Sequence, residues 1–172
     1  MAVVYLGLGS NLGDREGYLR AALEAVGRLD GTRVTATSRP YCSKPWGKLD
    51  QPDFMNMAAS IETTLEPGEL LRECKRIERE AGRRAGERWG PRVLDIDILL
   101  YDDLTLDSPT LTIPHPRMWQ RQFVLMPLAD LLPNLEGNDG RSIAQALESE
   151  EIVTQGVWPC DGVESKGMDE NR

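Results

Sequence analysis

Apolar residues change their spacing along this chain in a fixed order: period two, period 3.6, two further stretches of period two, period 3.6, then period two again. This β-α-β-β-α-β order constrains the fold more than any single motif, because it is the split arrangement of ferredoxin-like domains. Residues 2–9, AVVYLGLG, are apolar on both faces and read as a first strand. SNLGD (10–14) is a turn that can cap a helix. Leu19, Ala22, Leu23, Val26 and Leu29 then recur at helical spacing over 15–29, with Gly31 beyond the expected stop. RVTATSRPY (33–41) reads as a second strand, and Ala59, Ile61, Thr63 and Leu65 alternate along a third. Pro67 suits the first turn of a second helix, whose buried stripe is Leu70, Leu71, Cys74, Ile77 and Ala81. VLDIDILLY (93–101) is the fourth strand. The expected class is α+β: an antiparallel sheet with helices on one face in two layers, followed by extra C-terminal helices at 123–132 and 142–147.

The 172 residues fit one domain, expected over 1–158, with a polar and poorly ordered tail at 159–172. A hydrophobic content of 40% supplies a core, while a net charge of -8 argues against holding a nucleic acid by its phosphates. The N-terminus lacks a basic stretch and turns glycine-rich within nine residues, unlike a signal peptide. No apolar run approaches the ~20 residues of a membrane span. The three cysteines, Cys42, Cys74 and Cys160, are far apart and odd in number, with no CxxC. They argue against a disulfide framework and a zinc site, and they fit a reducing cytoplasm. A single chain of this length argues against fusion to other enzymes, and no obligate protein partner is expected.

Chemistry concentrates in RWGPRVLDIDILLYDD (88–103). Strand side chains alternate, so Asp95 and Asp97 project from one face while Leu94, Ile96 and Ile98 fill the other. Two adjacent carboxylates repel, and a hard divalent cation removes that cost. The bland alternative is a solvated face on which each aspartate pairs with an arginine. Arg83, Arg84, Arg88 and Arg92 lie just upstream, around the rigid turn Trp89-Gly90-Pro91, and guanidinium forks recognise phosphate. Together these residues read as a phosphate–metal site. GLGSNLG (7–13) follows a strand and opens a helix, but Leu12 stands where a dinucleotide fingerprint needs its third glycine. His115, the single histidine, sits between Pro114 and Pro116 in a stiff loop near Arg121, suited to a phosphate contact or general acid. Trp46, Phe54 and Asn56 offer rings to stack on and an amide edge for a flat heterocycle, or else are core aromatics and a turn asparagine.

The segments LGLGSNLGDR, QPDFMNMA, GRRAGERWGPRVLDIDILLYDD and LTIPHPRMWQRQFVLMPL occur in that order. They resemble the 6-hydroxymethyl-7,8-dihydropterin pyrophosphokinase family over most of residues 3–132. The resemblance implies a ferredoxin-like fold and transfer of the ATP diphosphate to a pterin hydroxymethyl group, with AMP released. It implies that Asp95 and Asp97 hold two Mg²⁺ ions and that Arg83 and Arg92 act near the transferring group. It assigns Glu78, Arg84, Arg88, Trp89, Ile98, Thr112, His115 and Arg121 to the ATP site. It assigns Ser43, Trp46, Phe54, Asn56 and Phe123 to the pterin pocket, with Phe54 and Phe123 sandwiching the ring. Two positions depart from the family pattern: the loop reads Gly82-Arg83-Arg84-Ala85 where G-R-x-R is usual, and Lys44 stands where proline is common. Two other readings share the residue pattern. One is a two-metal nucleotidyltransferase; the other is a non-catalytic ferredoxin-like binding module.

Overall fold

A computed structural model of the chain describes residues 1–45, 50–82 and 93–160. Its central element is β1 (Ala2–Ser10), which pairs antiparallel with β4 (Phe54–Thr63) on one side and β5 (Asp95–Tyr101) on the other. Between β1 and β4 come α1 (Arg15–Gly27), β2 (Thr32–Thr37) and β3 (Tyr41–Ser43), and α2 (Pro67–Glu80) joins β4 to β5. The order across the sheet is β5-β1-β4, with β2 and β3 both on the far edge of β4.

The single second strand expected over 33–41 is therefore two strands along one edge. The break falls at Ser38-Arg39-Pro40, where proline has no N–H for the ladder. Ser38 bridges the gap: its N–H donates to the Ala58 carbonyl at 2.8 Å, and its Oγ accepts the Ala58 N–H at 2.8 Å.

Both long helices start where local chemistry dictates. Asp14 caps α1 by accepting the Gly17 N–H at 3.1 Å. Pro67 sits in the first turn of α2, where Glu66 and Glu69 form a capping box. The two helices cover one face of the sheet. Val4, Leu6, Leu8, Ile61, Leu70, Cys74, Ile77, Leu94, Ile96 and Ile98 form the main core there. Burial pushes the Cys74 thiol up to about 12, with the Glu78 carboxylate adding to the effect, so this cysteine is inert core as its helical position implied.

The second half of the chain departs from a two-layer plan. β6 (Leu106–Asp107) and β7 (Thr112–Ile113) make a small hairpin, and a 3-10 turn spans Met118–Gln120. Next come α3 (Gln122–Leu131), α4 (Ile143–Glu148) and α5 (Glu150–Val153). α3 and α4 lie on the opposite face of the sheet, where Leu99, Met118, Leu125, Leu128, Ile143 and Ala146 form a second core. The expected two layers are thus three, because the two C-terminal helices have apolar stripes of their own to bury.

The chain's last described element corrects two expectations. β8 (Val157–Pro159) pairs with β3 and extends the sheet beyond it. Cys160 follows it and is disulfide-bonded to Cys42, with the Cα atoms 5.4 Å apart across 118 residues of sequence. Neither the bond nor the start of the tail at 159 was legible from cysteine count and local polarity. Strand pairing brings the two cysteines together, and only tertiary structure creates that pairing. Among the described residues, no helix is long and apolar enough to cross a membrane.

Candidate active site

Alternation along the strands assembles the site on the face that carries α3. In β1 the even residues fill the main core, and Gly7 and Gly9 fall on the opposite face. In register, Asp95 stands beside Gly9, Gly9 beside Asn56 and Asn56 beside Tyr41. Asp97 stands beside Gly7, which is next to Ala58. The Asp95 carboxylate on β5 and the Asn56 amide on β4 thus share one row of the sheet, with Asp97 on the same face one row along. Asp95 and Asn56 lie two strand spacings apart, roughly 10 Å, with only glycine between them. A Cβ at Gly9 would meet Asn56 Oδ1 at 3.3 Å, so the bare backbone there leaves room for a ligand. Strand glycines at alternate positions opposite Asp95 and Asp97 were the sequence signal for this groove.

At the β3–β4 end, Asn56 is buried and donates to Ser43 Oγ at 2.9 Å and to the Tyr41 carbonyl at 3.2 Å. Both amide hydrogens are spent on β3, so Asn56 offers Oδ1 as an acceptor rather than the full donor–acceptor edge its residue type suggested. Phe54, half-buried at the start of β4, is paired with Ser43 across the ladder. The loop preceding it is tied down by Asn11, whose amide donates to Gln51 Oε1 at 3.0 Å and to the Pro52 carbonyl at 2.9 Å. Phe123, in the first turn of α3, faces the same region from the other layer, with the Arg121 guanidinium 5.6 Å from its ring centroid.

At the β5 end, a groove of about 250 Å³ is lined by Lys75, Ile96, Asp97, Ile98, Thr112 and His115, among others. Ile98, Thr112 and His115 thus converge there as the sequence indicated. Lys75 was not singled out from the sequence; the packing of α2 beside β5 brings it to the groove. Glu78 supports the groove from beneath: its Oε2 accepts the Ile96 N–H at 2.8 Å, and its Oε1 lies 3.3 Å from Lys75 Nζ. That bond satisfies a donor of the edge strand between the two aspartates.

His115 is held by its backbone, whose N–H donates to the Leu99 carbonyl at 2.9 Å. Its Nδ1 accepts the Arg117 N–H at 3.2 Å, which places the neutral ring's proton on Nε2. Burial, then the positive charges of Arg121 and Arg117, lower its pKa to about 4. The ring is a neutral hydrogen-bond donor at pH 7, not a cation and not a general acid. Burial lowers the pKa of Arg121 as well, and the fields of Asp97 and Asp95 oppose that shift. Arg121 therefore senses both carboxylates while touching Phe123, and it links the two ends of the site. Trp46, Arg83, Arg84, Arg88, Trp89 and Arg92 lie outside the described residues.

Two hard oxygen donors on one face, half-buried and facing a cationic side chain, fit Mg²⁺, which needs one or two carboxylates besides phosphate oxygens. Among the described residues, no group of three or more metal-binding side chains occurs.

Comparison with known proteins adds the following. A family model described as 7,8-dihydro-6-hydroxymethylpterin-pyrophosphokinase matches residues 5–133. A Pseudomonas aeruginosa protein named 2-amino-4-hydroxy-6-hydroxymethyldihydropteridine pyrophosphokinase is 49% identical over 161 residues, covering 94% of each chain. A Bacillus subtilis protein of the same name is 46% identical over 134 residues, covering 78% of this chain and 80% of its own. Among solved structures, Plasmodium falciparum HPPK-DHPS with pteroate superposes with a TM-score of 0.67 at 16% identity. The match covers 84% of this chain and only 41% of that one, and at this identity it is a likeness of fold.

Proposed function

This chain belongs to the 7,8-dihydro-6-hydroxymethylpterin-pyrophosphokinase family, and from that premise we propose how its residues divide the work. It is an ATP-dependent pyrophosphokinase of folate biosynthesis. The diphosphate of ATP passes to the hydroxymethyl group of 6-hydroxymethyl-7,8-dihydropterin, and AMP is left. The row Asp95–Gly9–Asn56 carries the assignment of sites. It sets a carboxylate pair and a heterocycle pocket on one face, about two strand spacings apart.

In this reading the nucleotide lies in the groove of Lys75, Ile98, Thr112 and His115. The His115 Nε2–H donates to a phosphate or ribose oxygen without adding charge. Asp95 and Asp97 are the residues that would hold two Mg²⁺ ions, and such ions would neutralise charge on the polyphosphate. Arg121 attracts the same oxygens from the opposite side. Phosphoryl-type transfer asks for alignment and charge neutralisation more than covalent help, and this arrangement supplies both. Arg83, Arg84, Arg88, Arg92 and Trp89 are assigned to the nucleotide and the transferring group on the family pattern. The pterin is stacked between Phe54 and Phe123, accepts a bond from the Ser43 hydroxyl, and donates to Asn56 Oδ1. Trp46 joins this pocket on the family pattern. A cytoplasmic location fits the use of ATP, and in this reading a single domain carries the reaction.

The test is direct. Protein, ATP, Mg²⁺ and hydroxymethyl-dihydropterin are incubated and the nucleotides resolved. AMP that forms only when pterin is present is the expected result. ADP, or nucleotide turnover indifferent to pterin, overturns the proposal.

A further inference from the structure

Residues 149–160 form a strap from the start of α3 to the outer edge of the sheet. Gln155 fastens one end: its Oε1 accepts the Gln122 N–H at 2.9 Å, and its amide donates to the Gln120 and Glu151 carbonyls at 2.8 Å and 2.9 Å. Gly156, at φ +83°, turns the chain and accepts the Lys44 N–H at 3.3 Å. β8 then pairs with β3 in the register Ser43↔Val157, Cys42↔Trp158 and Tyr41↔Pro159. The Cys160 N–H donates to the Pro40 carbonyl at 3.2 Å, and the Cys42–Cys160 bond closes the strap. The strap thus braces both walls of the heterocycle pocket. β3 carries Ser43, which accepts from Asn56, and the N-terminus of α3 carries Phe123 and adjoins Arg121.

Without the covalent bond, β8 is held by its pairing with β3 and by half-buried Trp158 against the core. It is an edge strand of three residues, and none of them is buried. Short edge elements of this kind open locally at low cost. The two sulfurs, in residues only 7% and 1% exposed, are shielded while β8 is docked and reachable when it lifts. Disulfides in ATP-rich reducing compartments are rare, and those that occur are mostly transient or redox-sensing.

We propose that Cys42 and Cys160 are a reversible redox modification site: the disulfide latches the strap and holds the pterin pocket in its binding geometry, and the dithiol releases it. The oxidant is a small-molecule disulfide such as oxidised glutathione. One cysteine thiolate attacks its sulfur and expels one glutathione thiolate. The second cysteine thiolate attacks the mixed disulfide and expels the other. Two electrons and two protons leave the protein dithiol, and two glutathione thiols form; excess glutathione thiol reverses both steps. The latch acts chiefly on pterin, because the order β5-β1-β4-β3-β8 puts the nucleotide groove at the opposite edge of the sheet and only Arg121 of the nucleotide site adjoins the strap.

This inference rests on the pterin site proposed above. The full chain is equilibrated in glutathione buffers of graded redox ratio, and one portion is denatured, alkylated and weighed. Pterin binding beside a non-hydrolysable ATP analogue, binding of that analogue alone, and AMP production are read in the remainder. Alkylation is expected to fall from three cysteines to one, Cys74, as the buffer turns oxidising. If the strap is undocked in about nine-tenths of reduced molecules, pterin Kd is roughly tenfold weaker in the reduced form, with the analogue Kd moved far less. Cys160→Ser turns over but keeps the weak pterin Kd at every ratio. A bond that never forms, a bond that forms with pterin Kd unmoved, or a Cys160→Ser variant that binds like the oxidised enzyme overturns the latch. No pterin-dependent AMP in either state overturns the reading of the site, and with it the latch.

Discussion

The two faces of β1 and β5 make the most instructive comparison in the molecule. On one face Leu6, Leu8, Ile96 and Ile98 are at most 3% exposed and pack under α1 and α2. On the other, in alternation with them, stand Gly7, Gly9, Asp95 and Asp97. A period-two backbone lets one pair of strands serve stability on one face and chemistry on the other, with Ile96 and Ile98 also bordering the groove at the β5 edge. Repelling carboxylates are tolerable on this edge strand because its other face supplies the apolar burial.

Four measurements press on that separation, beginning with the largest effect. Asp97→Asn removes the charge and keeps the shape. It is expected to lower kcat/KM by ~10³-fold or more while leaving the thermal midpoint nearly unchanged. An unimpaired Asp97→Asn enzyme would mean that the acidic face is only a solvated surface. Leu6→Ala should do the reverse, costing about 2–5 kcal/mol in chemical denaturation with little change in turnover per folded molecule.

Gly9→Val tests the groove itself. Its Cβ would meet Asn56 Oδ1 at 3.3 Å and Phe54 Cδ1 at 3.8 Å. Displacing those groups should raise the pterin KM by up to ~10²-fold while the ATP KM holds. Equal losses for both substrates would show that the row is not divided as drawn. The smallest effect is at His115. Its proton NMR titration is expected to have a midpoint near 4, so the pH profile of kcat/KM carries no histidine inflection near 6.5. The sign follows from linkage. Below an unfolded pKa near 6.5 the unfolded chain binds the proton and the folded one does not. This residue therefore costs stability progressively as pH falls from that value toward about 4.

Much of the site was legible because its logic is local. Alternation alone put Asp95 and Asp97 on one face, and the prolines flanking His115 marked a fixed loop. Other features depended on residues far apart in sequence. The neutrality of His115 comes from its burial beside Arg121 and Arg117, and Asn56 loses its donors to β3, of which only Tyr41 falls within the expected second strand. Lys75 entered the groove because α2 packs beside β5, a relation that its helical position did not contain.

By itself, then, the sequence determined the order of the core elements and the faces of the strands, because side-chain period and turn residues act over a few positions. Tertiary structure alone decided the third layer, the row joining Asp95 to Asn56 across Gly9, and the bond between Cys42 and Cys160. The physical reason is that strand register and helix docking bring together residues as far as 118 positions apart, and composition and spacing say nothing about such pairs.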